Sequence, residues 1–327
     1  MSTELRRVTY GNHGVARLTP APDKPGPYMG MPKFSKAVKG ELNLSVQRKN
    51  MRNATTTIRN KRAMRVSESP DWQDLRDAAE SIKNRVGRHL DHYLVEAEKN
   101  LTANGVHVHW ARDGEEANRI VAQIAKDKGV DEVVKIKSIT SQETDLNEYL
   151  EAQGIAAWET DLAELIVQLG HDRPSHIVVP AIHRNRAEVR EIFLHEMKNY
   201  GRPAPEDISE NPPELANAAR LHLREKFLRA EMAVSGGNFV LADTGSLVIV
   251  ESEGNGRMCL TLPDTLVSIV GIEKVLPSFD DLEVFLKLLP RSATGERMNP
   301  YNSVWSGVTD GDGPQEQHVI FLDNGRT

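Results

Sequence analysis

The stretch that decides the fold is residues 106–137, VHVHWARDGEEANRIVAQIAKDKGVDEVVKIK. Its pattern predicts a strand at 106–110, a helix at 115–128 and a second strand at 132–137. The alternation continues with helices at 141–153, 161–169 and 184–197 and strands at 155–158 and 176–181. Strands separated by helices of this length are typical of βαβ units and a parallel sheet.

The flanking sequence extends this pattern. Upstream, apolar residues at spacings of three and four predict one long helix from Trp72 to Asn104-Gly105. Downstream, a connector at 198–213 precedes a helix at 214–229, and Asn255-Gly256 between apolar runs predicts a β-hairpin. The remaining elements are strands at 232–235, 239–241, 246–250, 258–262, 267–272 and 318–323 and a helix at 279–289. We therefore expect an α/β fold: a layered, mostly parallel sheet with an antiparallel hairpin insertion.

Charge is spread unevenly along the 327 residues, whose net charge is −6. Residues 1–70 hold 14 Lys+Arg against 4 Asp+Glu, a net charge of +10, and the remainder has a net charge of −16. We expect a basic, partly irregular N-terminal arm over 1–70 and one domain over 71–327. The arm is expected to pack against the acidic body or an acidic partner. Nucleic acid is disfavoured because the arm has few aromatic residues to stack on bases.

Composition excludes several classes of protein. No apolar run approaches the roughly 18 residues that a membrane span needs, and the N-terminus has no apolar signal segment. We therefore expect a cytoplasmic protein. The single cysteine, Cys259, excludes an intrachain disulfide, a four-cysteine iron–sulfur site and a multi-cysteine zinc site within this chain. It is predicted to be a buried strand residue.

Lys137 and Ser138 stand between a predicted strand and a helix. Ligands of α/β sheets bind at the carboxyl ends of strands, and a lysine beside helix N-terminal amides suits a phosphate or carboxylate. Alternatively, Thr140 and Glu143 form a capping box and leave Lys137 at the surface. Asn147 is expected to face the same way as Glu143, one helical turn later.

Carboxylates and a histidine follow the next strands. Glu159, Asp161 and Glu164 could bind a metal or act as acid–base groups, although Asp161 and Glu164 also fit a helix-capping pattern. The sequence does not decide which of these roles Glu159 has. His183 follows the strand predicted at 176–181 and is either a base or ligand, or a local hydrogen-bonding residue.

Two glycine-containing strings add candidates. Asp243-Thr244-Gly245-Ser246 resembles the aspartic-protease motif, but that chemistry needs two aspartates and only one copy is present. We interpret it, with Asn238 before the preceding strand, as a glycine turn that exposes polar groups. Glu253-Gly254-Asn255-Gly256 lacks the third glycine of a dinucleotide-binding loop. Glu253 remains an acid–base candidate, and Gly254 and Asn255 remain binding candidates.

The ordered set of strings resembles the LUD-domain family, specifically its lactate utilization protein B subfamily, over about residues 60–327. The strings that carry this resemblance are Lys137-Ser138, Glu159-Thr160-Asp161-Leu162, Ser175-His176-Ile177-Val178-Val179-Pro180-Ala181, Ala242-Asp243-Thr244-Gly245-Ser246, Glu253-Gly254-Asn255-Gly256-Arg257, Gly271-Ile272-Glu273-Lys274-Val275 and Asp323-Asn324-Gly325-Arg326. The resemblance implies a fold like that of the sugar-phosphate isomerase and CoA-transferase superfamily.

The resemblance also implies a role in oxidising L-lactate to pyruvate, in a complex with sister subunits A and C. Members of the subfamily carry a C-terminal ferredoxin-like region that binds two [4Fe–4S] clusters. That region would begin after Arg326, so we expect no cofactor within this chain. The alternative is a stand-alone binder or enzyme for an anionic metabolite, a CoA ester or sugar phosphate. Lys137 would then hold the anion and Glu159 or Glu253 would be the acid–base group.

Overall fold

The structure is a computed structural model that describes residues 34–172 and 174–327. Residues 1–33 of the predicted arm lie outside the described residues. The chain divides into two compact units. We call residues 58–161 and 226–327 the sheet unit, and the described residues of 34–57 and 162–225 the helical unit.

The described residues form ten strands and twelve α-helices. The strands are β1 Val106–Ala111, β2 Glu132–Lys135, β3 Ala156–Glu159, β4 Met232–Gly236, β5 Phe239–Leu241, β6 Ser246–Glu251, β7 Thr265–Gly271, β8 Val275–Leu276, β9 Tyr301–Trp305 and β10 Glu316–Leu322. The helices are α1 Phe34–Glu41, α2 Ser45–Ser67, α3 Trp72–Arg88, α4 Leu90–Ala103, α5 Gly114–Lys128, α6 Ile139–Glu143, α7 Leu146–Ala152, α8 Leu162–Leu169, α9 Arg186–Glu196, α10 Pro212–Arg229, α11 Asn255–Thr261 and α12 Phe279–Ala293.

The sheet unit is built on a six-stranded sheet in the order β1-β10-β7-β4-β2-β3. Every neighbouring pair is parallel, as the alternation of strands and helices predicts. One of its two central strands, β7, is buried along its whole length, which is why its sequence, TLVSIVG, is almost continuously apolar. One face packs on residues of α4 and α11, and the other on residues of α5 and α7. The α/β fold is therefore confirmed.

A smaller sheet in the same unit has the order β8-β5-β6-β9. β5 and β6 are antiparallel and β5 and β8 are parallel. Apolar side chains from α3 and α12 cover this sheet, among them Ile82, Val86 and Leu282. The antiparallel hairpin insertion is thus present as β5–β6.

The hairpin predicted at Asn255-Gly256 is wrong, because these residues begin helix α11. Gly254 adopts a left-handed φ of 85° immediately before the helix. The Glu251 carboxylate then accepts hydrogen bonds from the backbone N–H groups of Gly254, Gly256 and Arg257. These contacts satisfy amides that a helix start leaves unpaired. Cys259 is buried as expected, but it lies in a helix and not in a strand.

The strand predicted at 176–181 is also wrong, since this segment forms bends and turns. The His176 ring Nδ1 accepts the backbone N–H groups of Val178 and Val179, both at 3.1 Å. A side chain that takes two successive amides removes them from a strand ladder. Pro180 has no backbone N–H to donate to a strand ladder. The local hydrogen bonding therefore overrides the apolar pattern.

Two predicted helices are each split. The long helix breaks at His89, with φ −131°, into α3 and α4. The helix predicted at 141–153 breaks at Asp145, with φ 52°, into α6 and α7. In addition, residues of the predicted basic arm form α1 and α2, and the 23-residue α2 has no buried residue.

Candidate functional site

The centre of the site is a buried ion pair at the carboxyl ends of two neighbouring strands. Lys135 ends β2 and Glu159 ends β3, and the two residues are direct partners in the parallel register. The Lys135 Nζ lies 2.8 Å from the Glu159 Oε1, and the two side chains are only 1% and 4% exposed. Taking both charges out of water is costly, so the pair is retained only with compensating contacts.

Those contacts come from the helices that follow β2. The Lys135 ammonium donates to the Ser141 Oγ at 2.9 Å, and that hydroxyl donates to the Ser138 carbonyl at 2.9 Å. The Asn147 amide donates to the Glu159 Oε1 at 2.8 Å. We call Lys135, Ser141, Asn147 and Glu159 the strand-end network. It holds one positive and one negative charge in fixed positions beneath the surface.

Ser138 caps helix α6. Its backbone is extended, and its hydroxyl accepts the Ser141 amide at 3.2 Å. The capping box predicted for Thr140 and Glu143 is therefore wrong, because the helix begins two residues earlier than that pattern requires. Lys137 stands just before this cap and is partly buried.

Glu143 and Asn147 do not face the same way, because α6 and α7 are separate helices. The Glu143 carboxylate accepts hydrogen bonds from the Asn324 amide at 3.0 Å and from Arg326 at 2.8 Å. The Arg326 Nε lies 2.6 Å from the Glu273 Oε2. Glu143 thus belongs to an ion-pair cluster with the segment after β10, whereas Asn147 belongs to the strand-end network.

Asn255 joins the strand ends from the start of α11. Its amide donates to the Thr160 Oγ1 at 3.1 Å, and that hydroxyl donates to the Lys135 carbonyl at 2.9 Å. The Cys259 Sγ lies 3.5 Å from the same hydroxyl. Burial raises the pKa of the Cys259 thiol to about 12, so the thiol stays protonated and is a poor nucleophile. Glu253, by contrast, is exposed on the loop before α11.

The string Asp243-Thr244-Gly245-Ser246 is a turn whose hydrogen-bond partners include α4. The Asn100 amide donates to the Ala242 and Asp243 carbonyls at 2.7 and 3.0 Å, and the Asn104 amide donates to the Thr244 carbonyl at 2.8 Å. Gly245 has φ 60°, and a Cβ there would lie 2.4 Å from the Asn100 backbone. The turn therefore needs glycine for packing.

The other candidates are distributed over both units. Asn238 accepts the Val250 amide at 2.8 Å and so links β6 to the residue before β5. Asp161 directly precedes α8, and Glu164 is buried within α8, in the helical unit. His183, also in the helical unit, is buried and hydrogen-bonded to Asp172 and Ser175. The structure therefore brings together Ser138, Asn147, Glu159 and Asn255, with Lys137 and Gly254 beside them in sequence.

Sequence reasoning missed Lys135, Ser141, Thr160 and Glu251. One signal could have found Lys135: it is a charged residue inside the apolar string Val133-Val134-Lys135-Ile136. A lysine at a position predicted to be buried requires an acidic partner, and Glu159 ends the adjacent strand.

The side chains available as ligands limit which cofactors this chain can hold by itself. A [4Fe–4S] cluster is held by four cysteine thiolates, and the one cysteine of this chain is buried with a raised pKa. The residues present therefore do not fit such a cluster. Among residues 34–172 and 174–327, no three His, Cys, Asp or Glu side chains are placed to hold a metal ion. In the same residues, no helix is long and apolar enough to cross a membrane.

The chain is similar in sequence to several known proteins. The chain is 38% identical over 91% of its length to lactate utilization protein B of Bacillus licheniformis, and 37% identical over 91% to the protein of that name in Bacillus subtilis. It is 39% identical over 90% of its length to an uncharacterized electron transport protein of Escherichia coli. The chain spans 61–62% of the length of these relatives.

A solved structure of a DUF162 family protein from Deinococcus radiodurans is also similar, with 13% identity and a TM-score of 0.38. The similarity covers 71% of this chain and 98% of that one. The family model described as the LUD domain matches residues 94–322, which include the whole six-stranded sheet and the strand-end network. The chain belongs to the LUD-domain family.

Proposed function

We propose that this chain works as the LUD-domain part of a lactate-utilisation subunit in the oxidation of L-lactate to pyruvate. The observation that carries the proposal is the identity of 37–38%, over 91% of the chain, to proteins named lactate utilization protein B. In this proposal the protein acts in the cytoplasm and assembles with the sister subunits A and C.

The strand ends supply groups suited to a small α-hydroxy carboxylate. Lys137 follows β2, and its ammonium can pair with a carboxylate. The Asn255 side chain presents both an amide donor and an amide oxygen for a hydroxyl group. The strand-end network fixes the ends of β2 and β3. Lys137 follows β2 by two residues, and Asn255 reaches the residue after β3 through its hydrogen bond to Thr160. Oxidation of lactate releases two electrons and two protons, and any cluster that accepts electrons takes its thiolates from outside these 327 residues.

The test is a chimera in Bacillus subtilis. The matching segment of its lactate utilization protein B is replaced by this chain, and growth on L-lactate as the carbon source is measured. We expect growth to be restored relative to a strain that lacks the segment, and subunits A and C to co-purify with the chimera. A chimera that is folded and abundant but supports neither growth nor co-purification contradicts the proposal.

A matched pair of lysine variants tests the binding site within that chimera. Lys137→Ala is expected to slow growth on L-lactate, because it removes the ammonium at the strand ends. Lys198→Ala removes an exposed lysine of the helical unit and is expected to leave growth unchanged. Equal growth of both variants would remove Lys137 from the proposed site.

A further inference from the structure

The helical unit holds a second polar cluster that the proposed function does not use. The His183 Nε2 lies 2.6 Å from the Asp172 Oδ2, and the His183 Nδ1 lies 2.7 Å from the Ser175 Oγ. A hydroxyl, an imidazole and a carboxylate are therefore joined in one line of hydrogen bonds. We call these three residues the Ser–His–Asp array.

The surroundings hold the array in place. His183 is 4% exposed, and its backbone carbonyl accepts the Asn50 amide at 3.0 Å. The Asp172 side chain is 8% exposed and is paired with Arg184, which donates to it from Nε at 3.0 Å and from Nη2 at 2.5 Å. Ser175, in contrast, is exposed. The base and its carboxylate are thus fixed inside the unit, while the hydroxyl-bearing residue is open to solvent.

These contacts define the roles of the two imidazole nitrogens. If the Nε2–H donates to Asp172, the Nδ1 carries a lone pair and accepts the Ser175 hydroxyl. The roles of the two nitrogens are exchanged relative to those in the serine-protease triad. The chemistry requires only that one nitrogen accept the hydroxyl proton while the other is anchored by a carboxylate. Here one nitrogen is within hydrogen-bond distance of the Ser175 hydroxyl, and the other is within hydrogen-bond distance of the Asp172 carboxylate.

A cavity of the helical unit reaches the array at His183, whereas Ser175 and Asp172 are not among its lining residues. Its volume is about 270 Å³, and its lining includes His183, Arg184, Glu188 and residues 43–47. Pockets for drug-sized ligands have volumes of roughly 300–1,000 Å³, so this cavity suits a smaller molecule. Asn43, Ser45 and Gln47 are among the residues of its wall.

We propose that Ser175 is a nucleophile for small carboxylic esters, with His183 as the general base and Asp172 as a positioning residue. The Ser175 Oγ forms a bond to the acyl carbon, and its proton passes to the His183 Nδ1. The ester C–O bond then breaks, and the leaving alcohol oxygen takes that proton. Water, activated by the same nitrogen, hydrolyses the acyl-enzyme and restores the serine. The proposal is independent of the lactate-utilisation function.

The test treats the full chain with a fluorophosphonate probe and locates the adduct by mass spectrometry. In this reaction the Ser175 oxygen forms a bond to phosphorus, fluoride leaves, and the hydroxyl proton passes through His183 to solvent. We expect the adduct on Ser175 and hydrolysis of 4-nitrophenyl acetate. Ser175→Ala should abolish both, whereas Ser252→Ala, at an exposed serine of the sheet unit, should change neither.

Two further variants separate catalysis from structure. His183→Gln should slow labelling by about 10²- to 10⁴-fold, the usual contribution of a general base. Asp172→Asn should lower kcat for the ester with little change in KM and should alter the pH dependence of the rate. An adduct absent from Ser175, or a His183→Gln rate equal to that of the unmodified chain, overturns the proposal. If the buried variants fail to fold, the site of the adduct and the exposed Ser175→Ala variant decide the outcome.

Discussion

Two of the polar clusters in the sheet unit differ in how their charges are balanced. The strand-end network is almost fully buried and pairs one ammonium with one carboxylate. The second cluster, which we call the histidine cluster, consists of His107 and His109 on edge strand β1 and Glu316 and His318 on β10. It lies at the edge of the sheet, and His107 is exposed.

The histidine cluster brings three bases together with one carboxylate. The His109 Nε2 lies 3.0 Å from the His318 Nδ1, and the His318 Nε2 lies 2.8 Å from the Glu316 Oε1. The His107 and His318 rings stack at a centroid distance of 4.9 Å. Burial, with neighbouring histidines as a further cause, lowers the pKa of both His109 and His318. The strand-end network therefore places two opposite charges in direct contact, whereas the histidine cluster places bases beside one another and so disfavours their protonation.

Breaking the buried pair is expected to have the largest effect. Lys135→Met or Glu159→Leu leaves one charge buried without its partner, which costs about 3–5 kcal/mol of unfolding free energy. The double variant Lys135→Met/Glu159→Leu buries no charge and should lose much less than the sum of the two single changes. Urea unfolding of all four proteins gives the coupling energy directly.

Arg229→Met supplies the control for this cycle. Arg229 also pairs with a carboxylate, that of Glu132, but its side chain is 46% exposed and that of Glu132 is 21% exposed. Its loss should therefore cost no more than about 1 kcal/mol. If Lys135→Met and Glu159→Leu lose no more unfolding free energy than Arg229→Met, the idea of a paired, desolvated network is contradicted.

The sequence pattern predicted the strands of the large sheet because strands buried on both faces have almost continuously apolar sequences. It also put Ser138 and Glu159 at the carboxyl ends of parallel strands, which share an edge of the sheet. It did not predict that Asn147 and Asn255 join them there. Periodicity alone did not pair Lys135 with Glu159, because register between strands depends on contacts distant in sequence. The only indication was a lysine inside an apolar string. The sequence pattern also failed at α11, where the Glu251 carboxylate and a left-handed glycine start a helix.

Acidification is expected to have the second largest effect, acting on the histidine cluster. Because the pKa values of His109 and His318 in the folded state lie below the usual 6.5, the unfolded chain binds protons first as pH falls. Their contribution to stability is present above pH 6.5 and is lost progressively below it. We therefore expect a lower unfolding free energy at pH 5.5 than at pH 7.5. Thermal unfolding between pH 7.5 and 5.5 measures it.

The His318→Gln variant tests the source of that slope. Glu316, which faces His318 and Lys128, has a lowered pKa because it is hydrogen-bonded to Lys128. The stabilising effect of Glu316 is present above the usual pKa of a glutamate, 4.5. It is lost only at lower pH, below the range in which the histidines titrate. The slope between pH 7.5 and 5.5 should therefore flatten in His318→Gln. An unchanged slope would assign the pH response to groups other than His318.

The smallest effect on stability is expected from His107→Gln. This variant separates the two causes that lower the pKa values of His109 and His318, which are burial and the charge of a neighbouring histidine. His107 is exposed, so its loss should change the unfolding free energy at pH 7.5 by less than about 0.5 kcal/mol. Its positive form repels protons on His109 and His318, and this repulsion contributes to lowering the pKa of each. Removing it should shift both NMR titration midpoints upward, although burial, the larger cause, keeps them below 6.5. Midpoints that stay fixed would show that burial alone sets the pH response, and midpoints that return to 6.5 would show that charge does.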